Sequence, residues 1–216
     1  EFRRVLFRSM DKAEEMHNAL IEKAAESDEA LMEAFFENGS LTEEQLENGL
    51  KAGIINRGLF PVLCVSAKQN KGIGRLMEFI INSAPAPDEM PAIETLNGKS
   101  LKCNAADLTS LQIFKVSIEE HLGEIAFFKI YAGEVTEAMD LINASNSGKE
   151  RIPQLLAVAG KKREKVEKLV AGDIGATIKL KSTRTSDTLN TAKNAEDKIG
   201  EVQFPDPKIT MAVKAK

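Results

Sequence analysis

With 216 residues, 43% of them hydrophobic, the chain has room for two domains with real cores. Two cysteines make no disulfide framework, no stretch is long enough to span a membrane and no secretory leader is present, so a cytoplasmic protein is expected. The net charge of −4 hides an uneven distribution: residues 11–48 hold twelve acids and two bases, a net of −10, and residues 49–216 hold twenty acids and twenty-four bases, a net of +4. A phosphate backbone would repel the first part and can lie against the second.

Glu1 to Ser9 does not join naturally to the helix-forming residues after it and reads as a non-native leader, outside the fold. Asp11 to Ala25 is predicted as a helix with Ala13, Met16, Leu20 and Ala24 on one face. Ser27-Asp28 can cap a second helix stopped by Gly39. Thr42-Glu43-Glu44-Gln45 is a capping box, with Leu41 and Leu46 as its hydrophobic staple, and opens a third helix reaching Gly53. The many acids here are expected to form a solvated helix surface.

Pro61 to Val65 is a short apolar run that reads as a buried strand, with Cys64 as a small core residue. A polar turn from Ser66 to Gly72 comes next, then a helix with Ile73, Leu76, Met77 and Ile80 on one face. Strand, turn and helix make half of a βαβ unit, whose ligands gather at the strand's C-terminal end. Ser66-Ala67-Lys68 stands there and resembles the last guanine-recognition loop of GTPases, in which a backbone N–H meets the base. No G-x-x-x-x-G-K-[ST] phosphate loop and no Asn-Lys-x-Asp occurs, so the chain is expected to be a fragment rather than a relative that has lost its nucleotide site.

Pro85, Pro87 and Pro91 end that helix and open a linker covering residues 88–108. From Leu111 onward the pattern is one of short strands with Gly and Asn turns, a barrel or sandwich. Phe114, Val116 and Ile118 alternate; Ile125 to Ala132 is apolar on both faces, as in a central strand. Ile174, Ala176, Ile178 and Leu180 alternate, as do Ile209, Met211 and Val213 near the end; Pro153 suits only an edge strand or a bulge. Gly172-Asp173 and Gly133 read as turns, the latter needing positive φ or close packing.

Lys161, Lys162, Arg163, Lys165 and Lys168 form the densest basic cluster, a candidate for phosphate contact against the alternative of an exposed charged segment. A single tyrosine, Tyr131, and no Trp give little support for base stacking. His17 and His121 lie far apart without partners at ligand spacing, so no metal site is expected, and no nucleophile set of the Ser-His-Asp or Cys-His kind can be assembled.

Several separated stretches together resemble translational GTPases of the elongation factor G family. DEALMEAFFENGSLTEEQLENGLKAGIINRGLFPVLCVSAKQNKGIGRLMEFIINSAPAP is similar to the family's helical insertion and the end of its GTPase domain. FKVSIEEHLGEIAFFKIYAGEV, KERIPQLLAV, KKREKVEKLVAGDIGATIKL and TRTSDTLN are similar to its second domain, and FPDPKITMAVKAK to the start of its third. The resemblance implies an α/β fold, a partial P-loop GTPase domain with helical insertion over residues 10–87, followed by an all-β barrel over residues 109–204 and a third-domain start over 205–216. It implies a parent that uses GTP with Mg²⁺ to move tRNA and mRNA on the ribosome, with Ser66, Ala67 and Lys68 as part of the guanine pocket. The barrel would touch small-subunit ribosomal RNA, with Lys161, Lys162, Arg163 and Lys165 as candidate contacts, and the helical insertion would face the stalk proteins. Neither a membrane nor DNA is implied as a partner. The catalytic and Mg²⁺-binding residues would lie outside this sequence, so this chain alone is expected not to hydrolyse GTP. Departures occur where the family usually has glycine: Val65 before Ser-Ala, Ser186 in Thr185-Ser186-Asp187-Thr188-Leu189, and Lys179 in Lys179-Leu180-Lys181. They leave open a GTPase-deficient paralogue acting as a ribosome-binding module, or a related ribosome-protection or release factor.

Overall fold

Local capping chemistry sets the starts of two helices in the first half. In the computed structural model, which describes residues 2–119, 123–160 and 162–214 with side chains from residue 10 onward, the helices are α1 (Phe2–Ala25), α2 (Glu29–Asn38), α3 (Glu43–Ile55) and α4 (Ile73–Ser83). Asp28 accepts the N–H groups of Ala30 at 2.9 Å and Leu31 at 3.2 Å, satisfying donors that the first turn of α2 cannot pair internally. Thr42 Oγ1 accepts the Gln45 N–H at 3.2 Å while Gln45 Oε1 accepts the Thr42 N–H at 2.9 Å, the reciprocal pair expected at the start of α3.

Helix packing departs from the expected faces. On α1 the buried residues are Ile21, Ala24 and Ala25, while Met16 and Leu20 are exposed. Small residues decide this. A Cβ added at Gly49 would lie 2.7 Å from the Ala24 carbonyl oxygen, so α3 approaches α1 backbone to backbone, and Ser27 Oγ donates to the Gly49 carbonyl at 2.8 Å. Gly53 does not stop α3, which runs on to Ile55; a Cβ there would sit 3.0 Å from that of Leu59.

The strand expected over Pro61–Val65 is not formed. This segment is unpaired chain, with Phe60, Val62, Leu63 and Val65 exposed (Val62 at 90%) and the Cys64 thiol exposed as well. A strand needs a neighbour to take its N–H and C=O groups. Among the described residues of the helical unit, which ends at Met90, only the bridge between Ser66 and Lys71 supplies any β pairing.

From Pro91 the chain forms a β-rich unit. It begins with a hairpin, β1 (Ile93–Glu94) and β2 (Ser100–Leu101), inside the stretch expected to be linker. Long antiparallel strands β3 (Ser110–Glu119) and β4 (Gly123–Ala132) follow, then short ones: β5 (Glu134–Thr136), β6 (Asp140–Asn143) and β7 (Lys149–Arg151). The last are β8 (Leu156–Ala159), β9 (Lys162–Lys165), β10 (Lys168–Val170), β11 (Ile174–Ile178) and β12 (Thr188–Asn190). Eight of them hydrogen-bond in the order β7-β6-β12-β3-β4-β11-β8-β9, and β10 pairs with β5. The result is the barrel-like second half that the spacing of strands and turns implies.

β4 is central, flanked by β3 and β11, which explains its apolar residues on both faces. Leu111, Ile113, Phe128, Ile130, Val135, Leu141, Ile152, Leu155 and Leu189 form the main core; Ile125, Leu156, Ala176 and Ile178 form a smaller cluster. In β3 the buried apolar residues are Leu111 and Ile113, not Phe114 and Ile118, the latter 85% exposed. Ile113 opposes Phe128 but Lys115 opposes Phe127, so Phe114 is a bulge residue and the inward alternation slips by one. Gly133, at φ +75°, turns the chain out of β4, and a Cβ there would lie 2.6 Å from the backbone of Thr109. Pro153 sits between β7 and β8 rather than within a strand. Ile209, Met211 and Val213 alternate as expected but lie exposed in unpaired chain, so no strand forms there.

Candidate functional site

Ser66, Ala67 and Lys68 lie on a turn closed at its base. The Ser66 N–H donates to the Lys71 carbonyl at 2.9 Å, and the Lys71 N–H returns to the Ser66 carbonyl at 3.0 Å. Inside it the Asn70 N–H reaches the Ala67 carbonyl at 3.2 Å, with Asn70 in the left-handed region at φ +51°. Among the described residues the Ala67 N–H has no hydrogen-bond partner, and Ala67 and Lys68 are exposed. A backbone donor left over on a closed turn is suited to a planar acceptor such as a carbonyl oxygen on a base edge. Val65, before the turn, does not have a positive φ, so a side chain at that position introduces no backbone strain.

The basic cluster is broken up by the fold. Lys161 lies outside the described residues. Lys162, Arg163 and Lys165 are in β9, next to β8 in the eight-stranded sheet, whereas Lys168 starts β10 in the two-stranded sheet and pairs with Glu134 at 3.1 Å. Lys162 pairs with Glu164 within its own strand. Arg163 is only 20% exposed: it reaches Glu119 of β3 at 2.6 Å and donates to the Gly160 carbonyl, while its Nε is buried without a partner among the described residues. Arg163 therefore ties the β8–β9 hairpin to β3, while Lys162 and Lys165 on β9 and Lys168 on β10 stay exposed. Tyr131 is half-buried, with burial pushing its hydroxyl pKa up and the Lys129 Nζ 5.4 Å from its ring centre; that is not an open stacking platform.

Two carboxylates that the sequence does not single out organise the barrel's return loops. Glu150 is buried on β7. Its Oε2 accepts the Lys181 N–H at 2.9 Å, and its Oε1 accepts from Ser182 N at 2.8 Å, Ser182 Oγ at 3.3 Å and Thr183 Oγ1 at 2.9 Å. Burial alone would raise its pKa, but these donors outweigh it and hold the group below the ordinary glutamate value. Asp197 is held low in the same way: burial opposes ionisation, and Lys99 at 2.5 Å with Asn97 at 3.0 Å outweighs it. That contact, with the Thr95–Ile199 bridge, fastens the β1–β2 hairpin to the end of the barrel. Among the described residues no three His, Cys, Asp or Glu side chains are grouped to hold a metal, and no helix is long and apolar enough to cross a membrane.

Residues 109–192, from the start of β3 through β12, match the family model for elongation factor G domain 2. The chain is also similar to a crystal structure of a protein from Thermus thermophilus, with a TM-score of 0.72 and 22% identity, covering 94% of this chain. The chain spans 28% of the length of that relative.

Proposed function

We propose, from a β unit whose residues 109–192 match the family model for elongation factor G domain 2, that this chain is part of a translational GTPase and serves a GTP-dependent translocase on the ribosome. The domain match is the observation that carries the reading. The Ser66–Lys71 turn supports it independently, because it offers an unpaired Ala67 N–H where the resemblance asks for a guanine contact.

In this reading Ser66, Ala67 and Lys68 contribute to the guanine pocket and the barrel faces small-subunit ribosomal RNA, with Lys162 and Lys165 as the exposed cations of β9. The acidic helical unit would meet the stalk proteins, consistent with its exclusion from RNA by charge. GTP supplies phosphoryl-transfer energy when bound. Only its base finds a fitting group here: no phosphate loop and no Ser/Thr set for Mg²⁺ occurs in the sequence, so no hydrolytic step is assigned to this chain. The workplace would be the cytoplasm, where ribosomes are.

Pelleting of the purified chain with isolated ribosomal subunits tests this. Recovery with the small subunit, and its loss when elongation factor G is added in excess, is expected. Equal recovery with both subunits, undisturbed by that competitor, would remove the support for a shared site.

A further inference from the structure

A cleft of about 400 Å³ opens on the barrel between β7 and the turn that leaves β11. Its polar rim carries Arg151, Lys179 and Lys181, with Glu137 as the one lining carboxylate without a partner among the described residues, since Glu150 spends both oxygens on the 181–183 backbone and hydroxyls. Arg151 reaches Asp140 only at 3.6 Å, the longest ion pair among the described residues of the β unit, and Lys179 and Lys181 have no carboxylate in ion-pair range among those residues.

Backbone strain converges on the same cleft. Ala138 at φ +62° and Lys179 at φ +56° are both left-handed residues other than glycine, and both line it. Conformations of this kind persist where the surroundings over-determine them, and they gather at ligand clamps. Here the Lys179 N–H is held by the Glu124 carbonyl at 3.3 Å, and two residues on Glu150 fixes Lys181. Glycine would hold the Lys179 conformation without strain, whereas lysine brings a cation to the cleft. We propose that this cleft binds a phosphate group, gripped by the Lys179 and Lys181 ammonium groups as point charges and by the Arg151 guanidinium as a fork. A free anion and a polyribonucleotide backbone both present that group, and the chemistry at the cleft is the same for either.

The test is amide NMR of the whole chain titrated with inorganic phosphate, with decauridylate and with polyglutamate of matched charge. Shifts at residues 150–151 and 179–182 with phosphate or with decauridylate are expected, and not with polyglutamate; the response at lower concentration identifies the source. Lys179→Gly is the decisive variant, because it removes both the charge and the strain. It should melt at higher temperature yet bind at least about threefold more weakly, and with Lys181→Ala added it should lower the salt slope for decauridylate by about 1.4, at ~0.7 per phosphate contact on a single strand. No shift at these amides, an equal response to polyglutamate, or unchanged affinity in Lys179→Gly would overturn the site.

Discussion

Glu150 Oε2 accepts the Lys181 backbone N–H at 2.9 Å across 31 residues of sequence, locking the middle of β7 to the loop that leaves β11. The depressed pKa of Glu150 makes this contact a source of pH dependence. A carboxyl held lower in the folded than in the unfolded state contributes stability that is present above its unfolded pKa, about 4.3 for glutamate, and is lost as pH falls through the folded value. Glu150→Gln should cost about 1.5–3 kcal/mol near neutral pH, the range for hydrogen bonds to a charged group. Urea melts of both proteins from neutral pH to below pH 4 check this: the gap should narrow on acidification, and a gap independent of pH would mean the carboxylate charge is not involved.

Ser186 sits at φ +78° in the turn before β12, where glycine is the residue free of steric cost. Ser186→Gly gains that relief and loses the bond in which Val202 N donates to Ser186 Oγ at 3.1 Å. A left-handed L-residue costs ~1–2 kcal/mol, glycine returns about 0.4–1 kcal/mol as unfolded-chain entropy and the exposed hydrogen bond is worth ~0.5 kcal/mol, so the balance should be a stabilisation of at most about 0.5 kcal/mol. A rise in midpoint by chemical melting is the expected reading.

Gly133 combines positive φ with close approach to Thr109, so Gly133→Ala meets both penalties at once. A loss of about 3 kcal/mol is expected from backbone strain together with overpacking. Near-native stability in that variant would show that β4 leaves the sheet by a different path.

The capping box of α3 offers a test confined to the helical unit. Thr42→Ala should cost about 1 kcal/mol of helix stability, and Gln45→Ala should add less in that background than alone, because the two hydrogen bonds satisfy one helix end. A double-mutant cycle followed by far-ultraviolet circular dichroism measures the coupling.

Signals carried within a few residues were legible in the sequence. Asp28, Thr42 with Gln45, and the turn at Gly172-Asp173, where Asp173 Oδ2 accepts the Val170 N–H at 2.9 Å, all act over one turn of chain and fold as read. β4 was also legible, because burial on both sides leaves an apolar run without alternation. Strand formation over Pro61–Val65 and Ile209–Val213 was not, since β structure depends on a neighbour that a local pattern does not specify. The Phe114 bulge slipped the register of β3 for a similar reason: the extra residue is defined only by the facing strand. At the candidate site, the Ser66–Lys68 turn was visible from its punctuation. The basic cluster reads as one patch along the chain but is not one in space, because Val166 and Glu167 separate strands of two different sheets. Glu150 carried no local mark at all; its partners Ser182 and Thr183 lie 32 and 33 residues away.

The central claim is that this barrel works against ribosomal RNA, and co-sedimentation with ribosomes over a salt series tests it most directly. The account predicts binding at low ionic strength that weakens steeply and linearly on a log–log scale as salt rises, because cations such as Lys162 and Lys165 would release counterions from the RNA. Affinity indifferent to salt, or no association at the lowest salt, would contradict it.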